Sequence, residues 1–346
     1  MNTRPLHHAL AAGLAFLLAG PAAAAIHCVN TPAELYVAID AAEANGEDDE
    51  IHFVGGTYAP TTMSFHFQST EPHAITFRGG YDGACLHMLG EQTTIDGEQS
   101  RRGLFILNPN GDIVVEGLIF TRGLSTNNRG GGLRAESDSG DVRVDSNVFL
   151  ANRADDFAGA AKLATETGSL TVRNNLAFAN SSANIGAFEL SQVEGEAHVT
   201  GNTIVYNSSE GDFMPGGLWI GGGAHFVVSN NIVWDNLPEN PGPFDVDFTS
   251  SAASHSRYSN DIGVVSSSTV AEEVIGELSV DPQFADCGFL CIGFELERGS
   301  PLVDAGIDNP PGGMTGTDLA RKPRTIGPHV DIGAYENDLL FADGFD

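Results

Sequence analysis

The chain has 346 residues, a formal net charge of −30 and 42 glycines, about one residue in eight against a usual share near 7%. Only two lysines occur, Lys162 and Lys322, so the chain lacks the clustered basic surface that a nucleic-acid partner requires. A hydrophobic content of 41% excludes wholesale disorder and is enough for a sizeable core.

Residues 1–25 read as a secretory signal peptide. Arg4 supplies the positive start, Ala9 to Ala19 the apolar stretch and Ala23-Ala24-Ala25 the cleavage site. The apolar run is short for a membrane anchor. Export predicts an oxidising compartment, so Cys28, Cys85, Cys287 and Cys291 are expected as two local disulfides, Cys28 with Cys85 and Cys287 with Cys291. A zinc site is the weaker alternative, because no histidine stands at suitable spacing.

Thr31-Pro32-Ala33-Glu34 is a capping box with proline at the first helical position. Leu35, Ala38, Ile39 and Ala42 form one apolar face, and Gly46 is the expected stop. Short strands are predicted around Ile51 to Val54, Ala74 to Phe77 and Leu104 to Leu107.

The middle of the chain repeats. The blocks Asp145 to Asn152, Arg173 to Asn180, Thr200 to Asn207 and Ser229 to Asn236 align, with Asn147, Asn175, Asn202 and Asn231 in one slot. Gly131, Gly159, Gly186 and Gly216 keep the same rhythm. Each block holds three strand-like runs, for example Gly132 to Ala135, Val142 to Asp145 and Val148 to Leu150. This pattern predicts an all-β fold: a right-handed parallel β-helix, a three-sheet solenoid closed by a short N-terminal capping helix and an irregular C-terminal cap. Stacking coils at about 4.8 Å turns the asparagines into a structural ladder at a bend, where tolerance of the left-handed conformation is expected to suit them. The sequon-like Asn180-Ser181-Ser182 and Asn207-Ser208-Ser209 fall under the same structural reading. The repeat overrides a two-domain length prior: one domain is expected over 26–336, followed by a short acidic tail at 337–346.

Toward the C-terminus stand Asp281-Pro282-Gln283-Phe284, Gly299-Ser300-Pro301-Leu302-Val303-Asp304-Ala305-Gly306 and Val330-Asp331-Ile332-Gly333-Ala334-Tyr335-Glu336. With Gly55-Gly56-Thr57-Tyr58 and Gly79-Gly80-Tyr81-Asp82 they resemble the choice-of-anchor Q domain proteins, within the pectin-lyase-like superfamily. Asp318-Leu319-Ala320-Arg321-Lys322-Pro323-Arg324 resembles that family's Asp-Leu-x-Gly-Arg-x-Arg segment, with the usual glycine displaced. The resemblance implies the fold and export but no settled activity. Asp304, Asp318, Asp331 and Glu336 are expected to pair with Arg321 and Arg324 in the cap.

The resemblance also implies that a ligand groove runs along the first sheet. Alternation places Leu133, Ala161, Phe188 and Leu218 inward and Arg134, Lys162, Glu189 and Trp219 outward. That outward column reads as a substrate-binding face: Trp219 for stacking on a sugar, Arg134 and Lys162 for carboxylates or hydroxyls. A ladder of salt bridges on a solvated sheet is the structural alternative. As catalytic candidates, Lys162, Glu189 and Arg134 suit a polysaccharide lyase, in which Lys162 is the base; Glu189 beside it is expected to raise its pKa. Calcium is a conceivable cofactor, with Asp155, Asp156, Glu210 and Asp212 as metal candidates, although their spacing is unlike an EF-hand. The reading that follows is a secreted, cell-surface or periplasmic monomer, a non-catalytic module for an extracellular or envelope polysaccharide. A calcium-assisted lyase and a purely structural surface protein are the alternatives.

Overall fold

The computed structural model describes residues 24–126, 128–236, 244–248, 254–285 and 293–337. Cys287, Cys291, most of the expected leader and the tail beyond Asn337 lie outside the described residues. Ala25, the last residue of that leader, already belongs to the first strand, Ala25–Val29.

The helix, Pro32–Ala42, begins as its capping residues dictate: Thr31 Oγ1 accepts a hydrogen bond from the Glu34 N–H at 3.2 Å, and Glu34 accepts one from the Asn30 N–H at 2.7 Å. Leu35, Ala38, Ile39 and Ala42 are its buried residues. It stops at Ala42, earlier than the expected Gly46, and packs on Ala25–Val29, Asp49–Val54 and Phe65–Gln68 at the start of the coil stack. Cys28 and Cys85 form the expected disulfide, with Cα atoms 5.7 Å apart.

Beyond the helix, the chain winds through three long parallel sheets of eight, ten and eight strands, and four successive coils add a small fourth parallel sheet of two-residue strands, Leu124–Ser125, Arg153–Ala154, Ser181–Ser182 and Ser208–Ser209. In one coil the strands of the long sheets are Leu133–Glu136, Val142–Asp145 and Val148–Leu150; the next coil supplies Ala161–Thr165, Leu170–Arg173 and Leu176–Phe178. The pairings between successive coils are parallel and in register through the middle of the stack, so like positions pile up; a bulge between His52 and Val54 shifts the register once near its start. This is the parallel β-helix that the repeat predicts. Its interior is filled by stacked side chains such as Phe120 and Phe149, with ring centroids 5.1 Å apart, and Phe188 of another sheet meets Phe149 edge-on at 5.3 Å. Full burial of such a side chain stabilises by about 1.5–3 kcal/mol. Among the described residues no helix is long and apolar enough to cross a membrane.

Two asparagine ladders run along the stack. In the first, the backbone N–H and Nδ2 of Asn147 both donate to Asn175 Oδ1, and the same pair of bonds links Asn175 to Asn202, Asn202 to Asn231 and Asn231 to Asn260. A second ladder joins Asn152, Asn180, Asn207 and Asn236, so both sequon-like asparagines are buried structural rungs. The left-handed backbone falls one residue earlier than expected. Ser146, Asn174, Gly201 and Asn230 carry positive φ, which turns the following asparagine inward along the stack.

The glycine column has a different cause. Gly131, Gly159 and Gly186 are not in the left-handed region; a Cβ on each would lie 2.5, 2.5 and 2.0 Å from the carbonyl oxygen of the next glycine in the column.

The described part of the C-terminal segment packs on the coils that carry Asn174, Thr203 and Asn230. It returns along the side: Asn230 bonds both the N–H and the carbonyl of Ile307, Asn174 Nδ2 donates to the Thr317 carbonyl, and the Ala334 N–H donates to Thr203 Oγ1. A small apolar cluster of Val205, Ile232, Leu296, Leu302 and Ile332 glues it to the outside of the third sheet. Arg324 pairs with Glu336 at 3.5 Å, but Arg321 makes no such pair among the described residues; its guanidinium lies against Gly80 and Gly90. Arg321 has φ of 67°, in the left-handed region that glycine adopts most readily.

Candidate functional site

On the outer face of the first sheet, Arg134, Lys162, Glu189 and Trp219 occupy successive rungs of one column, as alternation predicts. The column extends to Phe105 and His66 below and to Asp247 above. Its centre is closed rather than open. Lys162 is 4% exposed and Glu189 3%.

Lys162 Nζ lies 3.1 Å from Glu189 Oε1 and donates to Ser191 Oγ at 2.9 Å. Arg129 donates to the same Glu189 oxygen and lays its guanidinium over the Phe157 ring at 4.5 Å. One carboxylate thus serves two cations, while Glu189 Oε2 is buried without a hydrogen-bond partner. Burial pushes the Lys162 amine below its ordinary value and outweighs Glu189, which acts in the opposite direction. The expectation of a raised lysine pKa weighed the neighbour but not the enclosure. Arg129 was missed by sequence reasoning: it sits in the irregular stretch leading into Gly131, where no period marks it.

Arg134 is partly exposed. It donates to Asn128 Oδ1 at 2.8 Å and to Glu136 at 2.6 Å, and it stacks 5.3 Å from the centre of the Phe105 ring. Phe105 in turn stacks on His66 with centroids 4.4 Å apart. At the other end, the partly exposed Trp219 lies along the sheet over Gly221, where an added Cβ would come within 2.0 Å of the indole. The small residue is what lets the indole lie flat. Ala164, Ser191 and Gly221 form one column beside it, as predicted.

The acidic loops are not brought into this column. Arg153 lies 3.3 Å from Glu210 and 3.9 Å from Asp155, while Asp156 accepts from Asn184 and Asp212 is exposed. Among the described residues no group of three or more histidine, cysteine, aspartate or glutamate side chains is placed to hold a metal ion. A guanidinium between the carboxylates is the wrong neighbour for calcium. The histidines are not uniformly on the surface: His52 stacks on Tyr81 and His255 on Phe248, each at 4.0 Å, and burial pushes His255 down to about 4.

No family model matches the chain, and no curated protein matches it. Among solved structures it is similar to pectate lyase Pel9A, with 13% sequence identity and a TM-score of 0.39, over 86% of this chain and 90% of that one.

Proposed function

We propose that the protein is an exported β-helix module of the choice-of-anchor Q type, which recognises an extracellular or envelope polysaccharide without acting chemically on it. The observation that carries this reading is the flat, partly exposed Trp219 indole over Gly221, next to a strip of small side chains on an extended sheet. A flat indole offers an apolar platform, and Arg134 at the other end of the column offers guanidinium N–H donors to sugar hydroxyls or carboxylates. Lys162 and Glu189 pair with each other between them in the same column. Their burial and mutual pairing favour a positioning role over proton transfer, because a general base must reach the proton it removes.

The test is a glycan array probed with wild-type protein and with Trp219→Ala. The expected result is binding by the wild type that drops at least tenfold in the variant. Absence of binding to any polysaccharide overturns the recognition reading. Release of unsaturated oligosaccharides from polyuronates by the wild type overturns the non-catalytic one and favours a lyase.

A further inference from the structure

A separate cleft of about 480 Å³ lies between the outer face of the second sheet and the returning C-terminal segment. Its size falls in the range of small-molecule sites. Glu116, Arg143, Asp145 and Arg173 line the sheet side, while Met314 to Leu319 and Arg321 line the other. The carboxylates of the sheet side are already matched. Glu116 accepts from Arg78 at 2.6 Å and from Arg143 at 3.3 Å; Asp145 accepts two parallel bonds from Arg173, both 2.9 Å. Asp318, opposite, is turned to the backbone N–H groups of Lys322 and Glu336.

Arg321 is the exception. Its guanidinium makes no ion pair or hydrogen bond among the described residues, in a chain with 46 acidic and 16 basic side chains. It is held in place nonetheless: a Cβ on Gly90 would lie 2.5–2.8 Å from three of its atoms, so the group rests directly on glycine backbone. Arg321 is exposed to solvent, whereas Arg143 Nε is buried, 3.4 Å from Asp145 Oδ2 in an ion pair but without a hydrogen-bond partner. Ser146 Oγ accepts from Asn174 and keeps its own proton to donate, and Met88, Met314 and Leu319 supply apolar walls.

We infer that this cleft binds a small carboxylated, hydroxyl-bearing ligand of about the size of an acidic monosaccharide, with its carboxylate on Arg321. A planar guanidinium fork matches a carboxylate in two parallel bonds, and the neutralised floor removes the repulsion that the rest of this acidic surface would impose. The site lies on a different sheet from the Trp219 face and does not depend on it.

The experiment is calorimetric titration of the full mature protein with D-glucuronate, D-galacturonate and D-gluconate, with D-glucose as the uncharged control. Wild type, Arg321→Ala and Trp219→Ala are compared, each checked for unchanged circular dichroism. At least one of the acids is expected to bind wild type and Trp219→Ala alike, to weaken as salt rises, and to lose at least tenfold in Arg321→Ala, while glucose stays silent. Failure of all three acids to bind, or equal affinity in Arg321→Ala, overturns the inference. Binding lost in Trp219→Ala but kept in Arg321→Ala moves the ligand to the first sheet, which also overturns it while leaving the polysaccharide reading intact.

Discussion

Replacing Asn202 with alanine removes the middle rung of the first ladder. Its side chain is fully buried; Oδ1 accepts from the N–H and Nδ2 of Asn175, both at 3.0 Å, and its Nδ2 donates to the Val172 carbonyl at 2.9 Å and Asn231 Oδ1 at 2.8 Å. Four bonds vanish and the Asn175 N–H is left buried and alone. Nδ2 of Asn175 keeps the Val144 carbonyl, and Asn231 Oδ1 keeps the Asn202 N–H. One orphaned donor and three weakened groups sum to a loss of about 3–6 kcal/mol. Asn202→Asp is expected to be worse still at neutral pH, because its second oxygen would face two acceptors. Asp245 shows why an aspartate works only at the end of a ladder: one oxygen receives Asn236, while the other meets the Val264 N–H at 2.8 Å. Urea unfolding followed by tryptophan fluorescence reports the effect, since both tryptophans, Trp219 and Trp234, belong to the coils around this rung. A loss below about 1 kcal/mol for the alanine variant, or an aspartate variant more stable than it at pH 7, refutes the argument.

Gly186→Ala should cost about 1–3 kcal/mol by the same unfolding assay, since the new methyl group meets the Gly216 carbonyl at 2.0 Å and backbone must shift. Replacing Cys28 and Cys85 together with alanine opens a loop spanning 57 residues, and the midpoint of urea unfolding should fall by the equivalent of about 4 kcal/mol. Burial raises Glu336 to about 8 from an ordinary 4.5, and Asp318 and Asp331 also upward, despite Arg324 nearby. The folded state therefore holds more protons than the unfolded one between these values, so thermal stability should fall as pH rises from about 4.5 to 8. Glu336→Gln should flatten that slope in pH-resolved melting curves; an unchanged slope would assign it to other groups.

The coil register was legible because asparagine and glycine recur at positions where stacking permits little else. The same regularity made the Lys162–Glu189 rung and the buried face of the helix readable. What stayed hidden depends on contacts between distant segments. Alternation says which way Lys162 points, but not that it is covered; Arg129 reaches Glu189 from 60 residues away. The second ladder was present in the aligned blocks, yet its asparagines end a run rather than pair, so their role emerged only from the hydrogen bonds. The path of the C-terminal segment rests on contacts 131 and 143 residues apart, which no local pattern encodes.

The two ladders also divide each coil into a constant part and a variable one. Successive rungs are 28, 27 and 29 residues apart in both ladders, but within a coil the two asparagines are always five apart: Asn147 and Asn152, Asn175 and Asn180, Asn202 and Asn207, Asn231 and Asn236. All length variation is confined to the remaining arc, which carries the small four-stranded sheet, the first two long sheets and their loops. Insertions there leave the paired asparagines in phase, whereas a single residue added between them would break both ladders at once. The molecule thus has a fixed spine and an editable flank, and the Trp219 face and the sheet side of the Arg321 cleft both lie on the editable flank.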